Sequence, residues 1–205
     1  MDYSKFKTPY IRESEIKQKA DATRNKYWGK SVPVDIERVM ESKFGLSIIP
    51  LPGLYHDFGF DSFISSDWGH IYVDNDSYLD DAGYKRVRFS LAHELGHLIL
   101  HKDLYESLQI NAVEDYYRFY ESVPVDQYSY LEIQANKFAG YFLVPRNILQ
   151  GEFDKLKASK KDALVAAGLE GIDNDSLIDY VADDLAEVFN VSSFSLRICW
   201  NTIDK

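Results

Sequence analysis

His93, Glu94 and His97 are the residues of this chain best spaced to do chemistry together. In an α-helix, residues four apart lie about 40° apart around the axis and about 6 Å apart along it. Two such histidines project from one face and can close on a single metal ion. Glu94 sits about 100° round from His93, outside the ligand position and within reach of a water bound to that metal. Zinc held by three protein groups keeps a fourth position for water and lowers that water's pKa to about 7. Glu94 then has the role of catalytic base, taking a proton from the attacking water and passing it to a leaving amine. Gly96, between the histidines, leaves room for a neighbouring strand or a substrate backbone to come close.

A site of this kind needs a third protein ligand. His101 continues the four-residue spacing, but eight helical residues advance about 12 Å, too far for one metal with bonds of about 2 Å. It reads instead as a helix-end residue favoured by the negative end of the helix dipole. Glu132 is the better candidate. It heads the face Glu132, Ala135, Asn136, Ala139 and Leu143, where small alanines permit close helix approach and an acidic group among apolar neighbours calls for a cation. Asn136, one turn on, is placed to hydrogen-bond a ligand. Glu114, Asp115, Glu121 and Asp126 are weaker rivals, in a segment without a clear helical face.

The elements that must position these residues are legible from periodicity. Thr8-Pro9 reads as a cap and first turn, leading a helix with Ile16, Ala20, Thr23 and Tyr27 on one face. A second helix begins near Pro33, turns Ile36, Val39, Met40 and Phe44 inward, and stops at Gly45. Short β-branched or alternating runs follow at Leu46–Ile49, Gly59–Ile64 and His70–Val73. The last two are joined by the turn Ser65–Gly69, and the three predict a small antiparallel sheet. Helical spacing returns from Asp81 to His101, with Leu91, Ala92, Leu95, Leu98 and Ile99 as an apolar back face. Lys102–Gln127 reads as irregular, acidic and Tyr-rich. A strong helix spans Ser129–Val144 and ends at Pro145. After Gly151 come a Lys-rich helical stretch, a linker at Gly168-Leu169-Glu170-Gly171, and a last long helix capped by Asp175 or Ser176 that reaches Asn190.

Composition bounds the function. The chain has 205 residues, 45% of them hydrophobic and 27% charged, enough for one full core. A formal net charge of -10 opposes phosphate backbones and anionic membrane surfaces, so direct nucleic-acid binding is not expected. Cys199 is the single cysteine and reads as a buried small hydrophobe. No signal-like segment follows the charges of the first seven residues, and no apolar run reaches the ~20 residues that span a bilayer. The expected compartment is the cytoplasm.

The run Arg88-Phe89-Ser90-Leu91-Ala92-His93-Glu94-Leu95-Gly96-His97, followed by Leu131-Glu132-Ile133-Gln134-Ala135-Asn136-Lys137-Phe138-Ala139 and Leu143-Val144-Pro145, resembles the ImmA/IrrE family of metallopeptidases. The likeness extends upstream to Pro33-Val34-Asp35-Ile36, Gly59-Phe60 and Ile71-Tyr72-Val73-Asp74, covering about residues 30–147. It implies an α+β, zincin-like core with the sheet packed on the histidine-bearing helix. It also implies Zn2+ held by His93, His97 and Glu132, and Glu94 as base. The partner it implies is a helix-turn-helix transcriptional repressor, cleaved to relieve repression in stress response or mobile-element control. The expected organisation is an N-terminal helical arm (1–30), a metallopeptidase core (31–150) and a C-terminal helical segment (151–205). Two departures stand out: a longer Lys102–Gln127 link, and no evident N-terminal DNA-binding domain.

Smaller signals carry less. Tyr105, Tyr116, Tyr117, Phe119, Tyr120, Tyr128 and Tyr130 suit either a peptide-binding wall or ordinary core, and one of the tyrosines is a candidate oxyanion donor. Residues 181–196 have helix-turn-helix rhythm, but Asp179, Asp183, Asp184 and Glu187 against Arg197 make packing the better reading. His56 and His70 read as loop residues. The rival to a peptidase is a module of the same fold that holds a regulator without cutting it, for which Glu94 would have no use.

Overall fold

The computed structural model describes residues 3–168 and 171–202. Leu169 and Glu170 of the expected linker, the first two residues and the last three lie outside them. The first helix, α1 (Glu13–Tyr27), buries Ile16, Ala20 and Thr23 as the spacing predicts. Its start differs from expectation, because Thr8 is engaged elsewhere. Its amide and hydroxyl donate to Gln127, to the side-chain oxygen at 2.9 Å and to the backbone carbonyl at 2.6 Å. An extended arm therefore precedes α1 in place of the expected first turn.

After α2 (Ile36–Val39), which runs on as a π turn to Phe44 and ends at left-handed Gly45, the chain forms β1 (Ser47–Leu51). It then passes through α3 (Leu54–Phe58) and the hairpin of β2 (Ser62–Ile64) and β3 (His70–Asp74). The sheet is mixed, not antiparallel. β3 is central, antiparallel to β2 and parallel to β1, with Ser47 opposite His70 and Leu51 opposite Asp74. The hairpin follows from its local turn. The parallel pair follows from the α3–β2 excursion, which is long enough to carry the chain back to the end where β1 began.

Asp74 and Asp80 cap the next two helices, α4 (Asn75–Leu79) and α5 (Asp81–Leu100), each accepting from the backbone amide three residues on. Lys102–Gln127 is more regular than its composition implies, forming α6 (Lys102–Glu106) and α7 (Val113–Ser122). There Tyr105, Tyr116 and Phe119 turn inward at helical intervals that the surrounding acidic residues mask. The long α8 (Val125–Leu143) follows, and Pro145 opens α9 (Arg146–Ser159), with Gly151 inside it. The short α10 (Lys161–Ala166), α11 (Asn174–Phe189) and α12 (Ser193–Thr202) complete the chain. Asp173 caps α11, two or three residues earlier than expected. The helix-turn-helix rhythm proves to be packing: α11 and α12 contact each other, and α12 lies on α8. Among the described residues no helix is long and apolar enough to cross a membrane.

The antiparallel pair α5 and α8 is the spine of the molecule, with α1 laid along α8. Leu91, Ala92 and Leu95 of α5 are fully buried, as are Leu131, Ala135, Phe138 and Ala139 of α8. Arg88 is buried as well, and its guanidinium donates to the carbonyls of Asn190, at 2.8 Å, and Val34. That fastens α5 to the end of α11 and to the segment before α2 while satisfying the buried charge.

Gly96 faces α8 rather than a strand or a substrate. A Cβ there would lie 3.1 Å from both the Cα and the carbonyl oxygen of Ala135, atoms of a backbone that cannot turn aside. Gly96→Val is expected to destabilise the protein by about 2–3 kcal/mol through overpacking, measured by denaturant unfolding. An unchanged midpoint would contradict the close approach.

Candidate metal centre

The packing of α5 on α8 brings three side chains together from two separate stretches. One ligand atom from each of His93, His97 and Glu132 lies within 4.8 Å of the others. The two Nε2 atoms are 2.9 Å apart, and the Glu132 carboxylate approaches them at 3.1 and 3.5 Å. His97 is 1% exposed and Glu132 22%. The expected rivals Glu114, Asp115, Glu121 and Asp126 are not in this group.

Hydrogen bonds at the far side of each imidazole set its tautomer. His93 Nδ1 lies 2.9 Å from Asn136 Oδ1, which accepts its proton and leaves Nε2 facing the cluster. On the other side a relay begins at the N-terminal arm. Gln134 Nε2 donates to the Pro9 carbonyl, so its Oε1 is free to accept from His101 Nε2 at 3.0 Å. His101 Nδ1 is then the acceptor for His97 Nδ1–H at 3.1 Å, and His97 also presents Nε2 to the cluster. This assignment rests on the network as a whole.

His101 is therefore a buried partner of His97, not a charged residue at the helix dipole. Burial, with the neighbouring His97, drives its pKa down to about 3. The spacing of His101 from His97 was visible in the sequence; the Gln134 and Pro9 that complete the relay come from distant segments and were not.

The cluster fits a divalent cation by its own electrostatics. Two imidazole Nε2 atoms and a carboxylate converge, and Glu132 Oε1 is buried without a hydrogen bond. Burial alone would lower the His93 pKa, but the Glu132 carboxylate outweighs it, with help from Glu94 and Asn136, and the pKa rises to about 9. Burial alone would raise Glu132, yet the two histidines hold it well below the usual carboxylate range. Two imidazoles and one carboxylate are a donor set that suits zinc.

Glu94 lies beside the cluster, 3% exposed, and accepts a 2.6 Å hydrogen bond from the Ser62 hydroxyl on β2. Burial raises its pKa above the ordinary glutamate value, with the histidines and Ser62 opposing. A cleft of about 1120 Å³ opens in front, walled by Phe60 and Asp61, by His93 and Glu94, by Tyr116, Tyr128, Glu132 and Asn136, and by Phe194 and Ile198. Tyr116 and Tyr128 share a 3.1 Å hydroxyl contact. The Tyr-rich segment divides: Tyr105 and Phe119 are core, Tyr116 and Tyr128 line the cleft, and Tyr120 and Tyr130 are exposed. His56 is exposed, and neither it nor His70 lines the cleft. Cys199 is buried, its thiol pushed up to about 12.

Fold and site together define an α+β protein whose paired helices carry a two-histidine, one-carboxylate cluster fit for a metal. A profile of the IrrE N-terminal-like domain, a peptidase family, matches residues 81–200. The chain belongs to this ImmA/IrrE family of metallopeptidases. The match starts later than the likeness read from the motifs and runs further, taking in α11 and α12. The fold is also similar to that of a Mycobacterium tuberculosis transcriptional regulator, with a TM-score of 0.58 and 18% identity, over 96% of this chain and 58% of that one. This chain thus spans little more than half of that protein's length. No curated protein matches the chain.

Two outcomes are expected. Below about pH 9 His93 holds a proton that a cation must displace, so zinc affinity should rise about tenfold per pH unit from pH 6 to 9 and then level; calorimetric titration across that range checks it. Gln134→Leu, which removes the acceptor that fixes His101, should weaken zinc binding about 10–100-fold. Unaltered affinity would disconnect the relay from the metal.

Proposed function

We propose that this chain is a cytoplasmic zinc-dependent endopeptidase, zincin-like in its core, that cleaves a helix-turn-helix transcriptional repressor. The observation that carries the reading is the convergence of His93, His97 and Glu132 next to a buried, pKa-raised Glu94 at the floor of an open cleft. In this reading the first three are the metal ligands, Asn136 orients His93, and Glu94 is the catalytic base.

When bound, the metal supplies Lewis-acid polarisation and an acidified water. The chain's residues do the rest. Glu94 takes a proton onto its carboxylate and returns it to the departing amine, and its raised pKa brings it nearer the working pH, where both transfers are efficient. Ser62 holds that carboxylate in one orientation. The Tyr116–Tyr128 pair lines the same cleft and is the source of a hydroxyl donor for the oxygen that gains charge.

The choice of substrate draws on three supports. The family is one of regulatory metallopeptidases. The structural neighbour is named a transcriptional regulator. The cleft wall carries Asp61, Asp76 and Asp80 against Arg86, a surface that favours a basic partner such as a DNA-binding protein. The arm, core and C-terminal segment, 1–30, 31–150 and 151–205, are proposed as the working divisions of the chain.

Zinc-loaded protein mixed with helix-turn-helix repressors encoded near it should make one discrete cut. Glu94→Gln should slow that cut by at least 10²–10⁴-fold, a rough range for one acid–base group, at unchanged zinc content by elemental analysis. Fully zinc-loaded wild type that leaves every such repressor intact would overturn the reading in favour of a module that binds without cutting.

A further inference from the structure

A second cavity, of about 200 Å³, adjoins the cleft and shares Phe89, Asn136 and Ile198 with it. Its floor is Gly140 and Cys199, and Ile133 forms the opposite rim. Lys137 and Tyr141 also line it, yet their polar ends are turned away: both donate to Glu13 at the start of α1. What faces the cavity is mostly apolar, although it lies beside the His93, His97 and Glu132 cluster.

We propose that this cavity is a specificity pocket that receives a large apolar side chain of the substrate residue adjoining the scissile bond. The inference rests on the peptidase reading and deepens it. Three observations carry it. Position comes first: Phe89 precedes His93 by one turn of α5, and Gly140 follows Asn136 by one turn of α8. The pocket therefore lies about 6 Å along the helix pair from the ligands. An extended peptide advances about 3.3 Å per residue, so the side chain next to the reacting bond reaches it.

Size comes second: a cavity of about 150 Å³ lined by aliphatic and aromatic groups accepts a benzene ring, so this one takes a leucine, methionine or phenylalanine side chain. The third observation is what keeps it open. A Cβ on Gly140 would stand 3.1 Å from Cys199 Sγ, so any larger residue at 140 would fill the floor. Ile133 and Ile198 remain 50% and 44% exposed at the mouth, large apolar surface that an incoming side chain would cover.

The test uses the zinc-loaded full chain and two peptide hydroxamates that differ only next to the chelating group, one glycyl and one leucyl. Calorimetry should find the leucyl compound at least tenfold tighter, about 1.4 kcal/mol. Ile198→Ser and Ile133→Ser, both at the exposed mouth, should each cut that ratio to about threefold or less. A ratio near one in the wild type, or a full ratio in both variants, would overturn the pocket while the glycyl compound still reports an intact metal site. Failure of both compounds to bind would instead overturn the metallopeptidase reading, and the pocket with it.

Discussion

The close approach of α5 to α8 is the constraint on which the rest of the molecule depends. At Gly96 and Ala135 the two helices meet with no side chain larger than a methyl between them. Only at that separation can a carboxylate on α8 come within about 3 Å of a histidine on α5. Small residues at the contact point and large ones beside it, Leu95 and Phe138, are a familiar way for helices to interlock. Here the interlock also decides that Glu132, and none of the acidic residues earlier in the chain, joins the histidines.

That contact has an electrostatic cost. Three ionisable side chains are drawn together away from water at one spot, and burial by itself would disfavour the charged forms of His93 and Glu132. His93 and Glu132 persist charged because they face one another, which is why His93 moves up and Glu132 down. Removing one member of such a group leaves the others uncompensated, a loss of about 3–5 kcal/mol when a buried pair is broken. The fold offsets this with the apolar back of α5 and with hydrogen bonds at every outward-facing ring nitrogen. The extended arm before α1 is part of that support, since the Pro9 carbonyl ends the relay that orients His97.

Local signals in the sequence were enough to find the residues of the cluster and most helices, because both rest on spacing within one element. Two histidines four apart, an apolar back face, and an acidic residue heading an alanine-rich stripe are all short-range patterns. The parallel partnership of β1 and β3 was not legible, since no residue in either strand records how far the chain travels between them. The helices α6 and α7 were hidden for a different reason: Tyr and acidic residues crowd both faces, and only tertiary contacts such as Phe60 against Tyr116 and Tyr120 reveal which rings turn inward. His101 was misjudged because a dipole argument needs a charge, and burial removes it.

The same helix thus does opposite things on its two faces, and the division explains the composition of both. On one face Leu91, Ala92 and Leu95 lie in an unbroken core where any polar atom would lack a partner. On the other, His93, Glu94 and His97 are polar but largely buried; Asn136 and His101 engage the outward ring nitrogens, and Ser62 engages one oxygen of Glu94. What those partners leave over are two ring Nε2 atoms and a carboxylate, all turned to one spot. Two ring nitrogens 2.9 Å apart call for positive charge between them, and without a cation a proton on His93 fills that place, its pKa raised by Glu132. The outer shell therefore determines the inner one: by occupying the far sides of the two imidazoles, the fold prepares a demand for positive charge at one position, with the buried carboxylate of Glu94 beside it.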